Sequence, residues 1–236
     1  MKYIFQKTTK NEPDDFRIYR ETTEGARYNG GNFSVPQLKE QLLEEQGWIC
    51  AYCMGKIASV DDAHVEHYCP QKACPEQDLE YMNLLAVCDG LTESYPEKES
   101  FHHCDKTKGK EGKMSGDVKL SAIDPRSADC EKELTYNLNG EILSKNSDTQ
   151  VEHDLNTVLN LNNKALLLRR KSTMDRALEL MKKEQPIGQW RRAYLEKHKE
   201  AWLMRYAQKG KEAYRAYCMA GVWVIEKLLA KPKYQQ

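Results

Sequence analysis

The sequence predicts an α+β chain with a mixed, metal-stapled front and a helical C-terminal part. Three observations carry this. Long stretches with apolar residues at three- and four-residue steps begin only near Asp154, whereas short runs such as "AHVEH" stand in the front. A Cys50-x-x-Cys53 pair is followed by Cys88, which closes the apolar run "NLLAVC", and by Cys104, which opens "CDKTKG". Charge is also segregated: residues 163–236 carry 18 Lys+Arg against 7 Asp+Glu, so residues 1–162 hold 18 basic and 29 acidic groups.

The 236 residues are enough for one or two compact domains, and 40% hydrophobic content supplies a core. The 31% charged residues and a mean hydropathy of -0.80 describe a wet surface. No apolar run approaches the ~18 residues of a membrane span. The start, "MKYIFQKTTKNEPDD", has no apolar core of a signal peptide, so a cytoplasmic protein is expected. In that compartment a chain with eight cysteines is expected to hold a metal rather than a disulfide framework.

Taken in order, residues 1–46 read as an irregular lead-in, with a short strand at Tyr3–Phe5, and one helix. Ser34 as N-cap and Pro36 in the first turn start that helix; Leu38, Leu42 and Leu43 form its apolar face up to Gly47. Residues 47–125 form the core carrying the chemistry. There Lys56–Ser59 and Ala63–Tyr68, joined by "VDD", read as a β-hairpin, and 89–117 as a polar region without a period. Residues 126–236 are a connecting segment and a basic helical domain. A helix from Asp154, broken near "NLNN", ends at Pro186 and Gly188; a second spans Gln189–Gln208, closed by Lys209-Gly210; a third runs Lys211–Leu229, stopped before Pro232.

A Cys-x-x-Cys turn brings two thiolates to one face, where they bite one zinc ion. Cys88 and Cys104 complete a tetrahedral set, with His102 and His103 as rivals for the fourth place. Cys69, Cys74, Cys130 and Cys218 read as ordinary cysteines. Between the halves of the clamp lie Glu66-His67 and Asn83. His67, with an ordinary pKa near ~6.5, suits a general base, and His64, on the strand face of Glu66, is an auxiliary candidate.

The order "CAYC … VEHYCP … NLLAVC … CDKTKG" resembles an HNH endonuclease of the ββα-metal class. The flanking "MKYIFQK", "LLEEQGWICAYC", "AIDPRSADCEKELTYNLNGEI" and "LNLNN…LLLRRK" resemble one branch of it, the HNH subunit of Septu-type and retron-associated anti-phage defence systems. The resemblance implies a zinc-stapled ββα core that hydrolyses phosphodiesters, with His67 as base and Asn83 tying down its loop. Glu66 and Asp105 take the places of the Mg²⁺ or Mn²⁺ ligands. Asp105 stands where the family usually has His or Asn, which leaves metal preference open. Lys106 and Lys108 are expected to meet phosphate. DNA is the favoured substrate, with an RNA such as tRNA as the alternative. The implied partners are an ABC-type ATPase and a retron reverse transcriptase with its RNA–DNA product. The chain has no phosphate-binding loop of its own.

In the helical part, Arg169, Arg170, Arg191 and Arg192 are the candidates for polyanion contact. Most aromatics there (Trp190, Tyr194, Trp202, Tyr206, Tyr214, Tyr217, Trp223) are expected to form the core. A reading from a different class is a zinc-knuckle adaptor, binding nucleic acid or protein without cutting.

Overall fold

The computed structural model describes residues 1–91, 98–108, 118–208 and 210–234. It is α+β, with three two-stranded antiparallel sheets among the described residues. No described helix is long and apolar enough to cross a membrane. Part of the segment 89–117, and Lys209 of the expected helix end, lie outside the described residues.

The lead-in forms no strand at Tyr3–Phe5. Instead Ile4 N donates to Pro125 O at 2.9 Å and its side chain is buried. Helix α1, Asp14–Thr22, starts with two acids in its first turn, where the helix dipole favours negative charge. It buries Phe16, and Asp15 accepts from Ser34 N, which fixes where the next helix begins. Helix α2, Val35–Gln46, is capped by Ser34 Oγ accepting from Gln37 N at 3.3 Å and buries Leu38, Leu42 and Leu43. It stops at Gly47, whose φ of +65° is left-handed and whose added Cβ would lie 2.5 Å from the Tyr214 ring. Only glycine meets both demands.

Gln46, the last residue of α2, is buried and bonds the main chain of Ile49 and Ala86, which anchors the segments that follow. The chain then folds back on itself at the Cys-x-x-Cys turn. Cys50 N donates to Gly55 O, Ile57 N donates to Trp48 O, and Ile49 bridges Lys56. The expected hairpin of 56–59 with 63–68 is therefore corrected. Lys56 already has a partner across the cysteine turn, and Val60–Asp62 is a connection. Strand β1, Ala63–His67, pairs instead with β2, Leu84–Cys88, with His67 opposite Leu84 and Ala63 opposite Cys88. A short helix α3, Asp105–Lys108, follows Cys104.

The remaining chain forms α4 (Asp129–Glu133), the hairpin β3 (Leu134–Tyr136) and β4 (Ile142–Ser144), and α5 (Thr149–His153) running into a wider turn at Asp154–Val158. Asp154 is fully buried, and its carboxylate accepts from the backbone N–H groups of Ser121, Ala122 and Ile123 at 2.7–3.0 Å. Asp154→Ala removes the acceptor of three main-chain donors, that of Ile123 buried. It should cost about 2–4 kcal/mol, read as a fall in the denaturation midpoint, with Asp154→Asn milder.

Helix α6, Lys164–Glu184, is capped by Asn163 after the expected break, and Pro186 follows its end. Helix α7 is shorter than expected, Arg192–Leu203. The residues assigned to the end of one helix and the start of the next form a hairpin instead, β5 (Tyr206–Gln208) with β6 (Lys211–Ala213), turning at Gly210 with φ +80°. Helix α8 accordingly starts late, Cys218–Leu229. It packs on α6 and α7, and its Gly221 lies so close to Trp202 that a Cβ would sit 2.5 Å from the indole. Trp190, Trp202, Tyr214 and Tyr217 are buried in this core. Tyr214 N donates to Gly47 O and Tyr217 N to Met54 O, so the C-terminal part grips the cysteine turn directly.

Candidate active site and metal centre

Three segments deliver four sulfurs to one point. The turn after Ile49 presents Cys50 and Cys53, the end of β2 presents Cys88, and the residue before α3 presents Cys104. Met54 at φ +64° and Cys104 at φ +55° are left-handed, which aims both segments inward. The four Sγ atoms lie within 4.8 Å of one another, with Cys50–Cys104 and Cys53–Cys88 each at 3.8 Å. A tetrahedral zinc about 2.3 Å from each sulfur sets sulfurs about 3.8 Å apart, so the quartet fits a metal such as zinc. Burial and the neighbouring sulfurs push the Cys104 thiol well up from its ordinary value. Four thiolates this crowded ionise together only around a cation.

His103 is not among the four. Its Nδ1 lies 3.1 Å from Cys104 Sγ and 3.9 Å from Cys88 Sγ, beside the cluster. His102 is buried, and its carbonyl accepts from Asn160 Nδ2. Cys69 and Cys74, expected as ordinary thiols, are joined by a disulfide. Cys130 and Cys218 are free and buried.

Next to the cluster, β1 ends in Glu66 and His67, both buried. The Glu66 carboxyl accepts from Tyr52 OH at 3.1 Å, is ion-paired with Lys108 and lies near enough to Asp105 for the two carboxyl groups to interact. Tyr52 sits between the two cysteines of the turn, so the cysteine turn also positions Glu66. Burial pushes the Glu66 carboxyl up to about 8; Lys108 opposes this and Asp105 adds to it. Two neighbouring carboxyl groups, Glu66 buried and Asp105 half-buried, are a ready ligand pair for a hard divalent cation.

His67 Nε2 lies 2.9 Å from the backbone carbonyl of Asp78. A carbonyl only accepts, so Nε2 carries the proton and Nδ1 keeps its lone pair. Burial lowers the imidazole pKa against the opposing pull of Asp78, which holds His67 neutral near pH 7. The ring is further packed edge-to-face by Tyr28, 4.9 Å between centroids. Asn83 bridges the loop after β1: its Oδ1 accepts from Cys69 N at 2.8 Å, and its Nδ2 donates to Cys69 O and Gln77 O.

Two expectations about phosphate contact are corrected by burial. Lys108 is 3% exposed, with its ammonium on Glu66 and on the carbonyls of His67 and Tyr68. It braces the site from inside. Arg170 is 1% exposed and bonds Gly140 O, Leu161 O and Asn162 Oδ1. It is a structural staple of the helical part. Arg170→Ala should therefore lower thermal stability by about 2–4 kcal/mol while leaving the salt dependence of any nucleic-acid binding unchanged.

Lys106, Arg169, Arg191 and Arg192 are exposed, Arg192 being paired with Glu196 at 2.8 Å. His64 is also exposed. Asp78, Tyr52 and Tyr28 are site residues that sequence reasoning missed. Tyr52 had a signal in its place inside the cysteine turn; Asp78 and Tyr28 sit in irregular segments without one. The chain matches no known family model and no curated protein.

Proposed function

We propose that the chain is a metal-dependent HNH-type endonuclease that hydrolyses nucleic-acid phosphodiesters. The observation that carries this is the juxtaposition of a neutral His67, its Nδ1 lone pair free, with the neighbouring carboxyl groups of Glu66 and Asp105 beside a four-cysteine cluster. The order strand, strand, short helix supports it, as does the sequence resemblance.

Glu66 and Asp105 would hold a divalent cation, Mg²⁺ or Mn²⁺, which when bound neutralises charge developing on the phosphate. His67 Nδ1 takes a proton from water as the water oxygen bonds to phosphorus. The P–O ester bond breaks, and its oxygen leaves with a proton from solvent. Asn83 and Lys108 hold the loop and strand end that carry the base, and the Asp78 carbonyl fixes its tautomer.

DNA is the favoured substrate on the resemblance alone. The same resemblance supports action within an anti-phage system, alongside an ABC-type ATPase and a retron reverse transcriptase with its RNA–DNA product. On this reading, nucleotide sensing falls to the ATPase. The exposed Lys106, Arg169, Arg191 and Arg192 are the proposed contacts to a polyanion or an acidic partner.

One observation favours a non-cutting adaptor: the Lys108 ammonium already neutralises Glu66. The readings separate in a metal add-back experiment. After EDTA treatment, Mn²⁺ or Mg²⁺ should restore cleavage to the wild-type chain and not to Glu66→Gln or Asp105→Asn. Nucleic-acid binding with no cleavage under any metal would leave the adaptor.

A further inference from the structure

One disulfide stands a step from the base. Cys69 and Cys74 are bonded to each other, five residues apart, and the other six cysteines are free. The pair lies in the 16-residue connection between β1 and β2, two residues after His67 and four before Asp78. That connection leaves the base and returns to hold it, because the Asp78 carbonyl meets His67 Nε2 at 2.9 Å. The disulfide therefore closes a small ring inside the larger one that fixes the imidazole.

Hydrogen bonds tie the small ring to both sides of the base. The N–H and the carbonyl of Cys69 are bonded to the Asn83 side chain at 2.8 and 3.0 Å. Gln71, inside the ring, donates from Nε2 to Asp78 Oδ1 at 2.5 Å. The Cys74 carbonyl accepts from Gln77 N at 2.9 Å, and the Gln77 carbonyl accepts from Asn83 Nδ2 at 3.2 Å. The two cysteines differ in access. Cys69 is 3% exposed, whereas Cys74 is half-buried and flanked by the exposed Ala73 and Pro75. A soluble thiolate thus meets the disulfide from the Cys74 side. A ring this short restricts the unfolded chain less than a long one does, so global stability is the weaker reason for the bond and its position the stronger.

We propose that Cys69–Cys74 is a thiol–disulfide exchange site, taking a soluble dithiol as its reductant, whose state sets how firmly residues 68–78 hold His67. A thiolate of the dithiol attacks Cys74 Sγ, the Cys69–Cys74 bond breaks, and Cys69 Sγ leaves as a thiolate that takes a proton from solvent. The second thiol of the reductant, giving up its proton, attacks the reductant sulfur now bonded to Cys74. The reductant closes to a disulfide and Cys74 is released as a thiol, so two electrons and two protons have passed to the protein. Exchange with a soluble disulfide runs the reverse course. For the proposed nuclease the oxidised chain is then the faster one; that consequence rests on the nuclease reading, and the exchange site does not.

The test treats the full, zinc-loaded chain with dithiothreitol or with oxidised glutathione. Alkylation with mass mapping counts thiols, and amide hydrogen exchange reads residues 68–78. Dithiothreitol should release thiols at Cys69 and Cys74, speed exchange across 68–78 by about tenfold and leave zinc content unchanged. Oxidised glutathione should reverse these changes. Cys69→Ser with Cys74→Ser should exchange like the reduced chain in both reagents. Metal-dependent cleavage should fall by about tenfold on reduction and return on reoxidation, because a loosened base loses its alignment. Free thiols at Cys69 and Cys74 under oxidised glutathione overturn the inference. So does exchange across 68–78 that ignores the reagent, or that follows it equally in the double serine variant. Cleavage at one rate in both reagents overturns the link to the base. A chain that cuts nothing under either reagent counts against the nuclease reading, while alkylation and exchange still decide the exchange site.

Discussion

Cys50→Ser or Cys88→Ser should unfold the region around the cysteine turn and release its metal. Structural zinc supplies on the order of 10 kcal/mol of apparent binding free energy, comparable to the ~5–15 kcal/mol net stability of a whole domain. Here the loss is not local. The turn held by Cys50 and Cys53 carries Tyr52, which bonds Glu66, and it is gripped by Tyr214 and Tyr217 from the C-terminal part. Elemental analysis of the wild-type chain should find one zinc per chain, and circular dichroism of either variant should show a large loss of cooperative melting. Wild-type protein purified without metal, or serine variants that melt like it, would contradict the staple. Cys130→Ser is the control: Cys130 lies outside the quartet and should leave metal content unchanged.

His67→Ala should reduce single-turnover cleavage by about 10²–10⁴-fold, the usual effect of removing a general base. Metal content should be untouched, since no bond joins the imidazole to the cysteines, and nucleic-acid binding should survive. The side chain packs against Tyr28 and meets Asp78, so a modest stability loss of about 1–2 kcal/mol accompanies the change. Measuring rate and melting on the same sample separates the two effects. A rate loss that merely tracks unfolding would assign His67 a packing role.

The cysteine quartet was legible because a two-residue spacer fixes the geometry of Cys50 and Cys53, and only two of the other cysteines stood at the ends of distinct motifs. Helix α2 was legible at both ends, since Ser34, Pro36 and Gly47 are each demanded by local backbone chemistry. The C-terminal helices were read in the right order but too long. Tyr206 to Ala213 has no strong breaker except Gly210, and the pairing of Tyr206 with Ala213 depends on α2 and Trp48 lying underneath rather than on helix propensity. The mispaired hairpin has a related cause. Lys56–Ser59 and β1 are neighbours in sequence, but the cysteine turn had already supplied Lys56 with a partner, and β1 pairs with β2, with 16 residues between the two strands. The fate of a lone cation was least legible. Lys106 and Lys108 look alike on paper, yet one turn of α3 leaves the first exposed and buries the second on Glu66. Asp154, Asp78 and Arg170 are buried polar residues that hold main-chain groups remote in sequence, and no local pattern announces such partners.

Glu66, His67 and Asp105 are proposed to form a working divalent-metal phosphodiesterase. The most direct measurement is a cleavage time course on DNA and on RNA with purified chain, alone and with the proposed ATPase partner, in Mg²⁺, in Mn²⁺ and in EDTA. Strand cleavage should require the divalent metal, be weak for the chain alone and rise or change target with the ATPase. Cleavage that continues in EDTA, or intact nucleic acid under every metal and partner condition while the zinc staple is loaded, would contradict it.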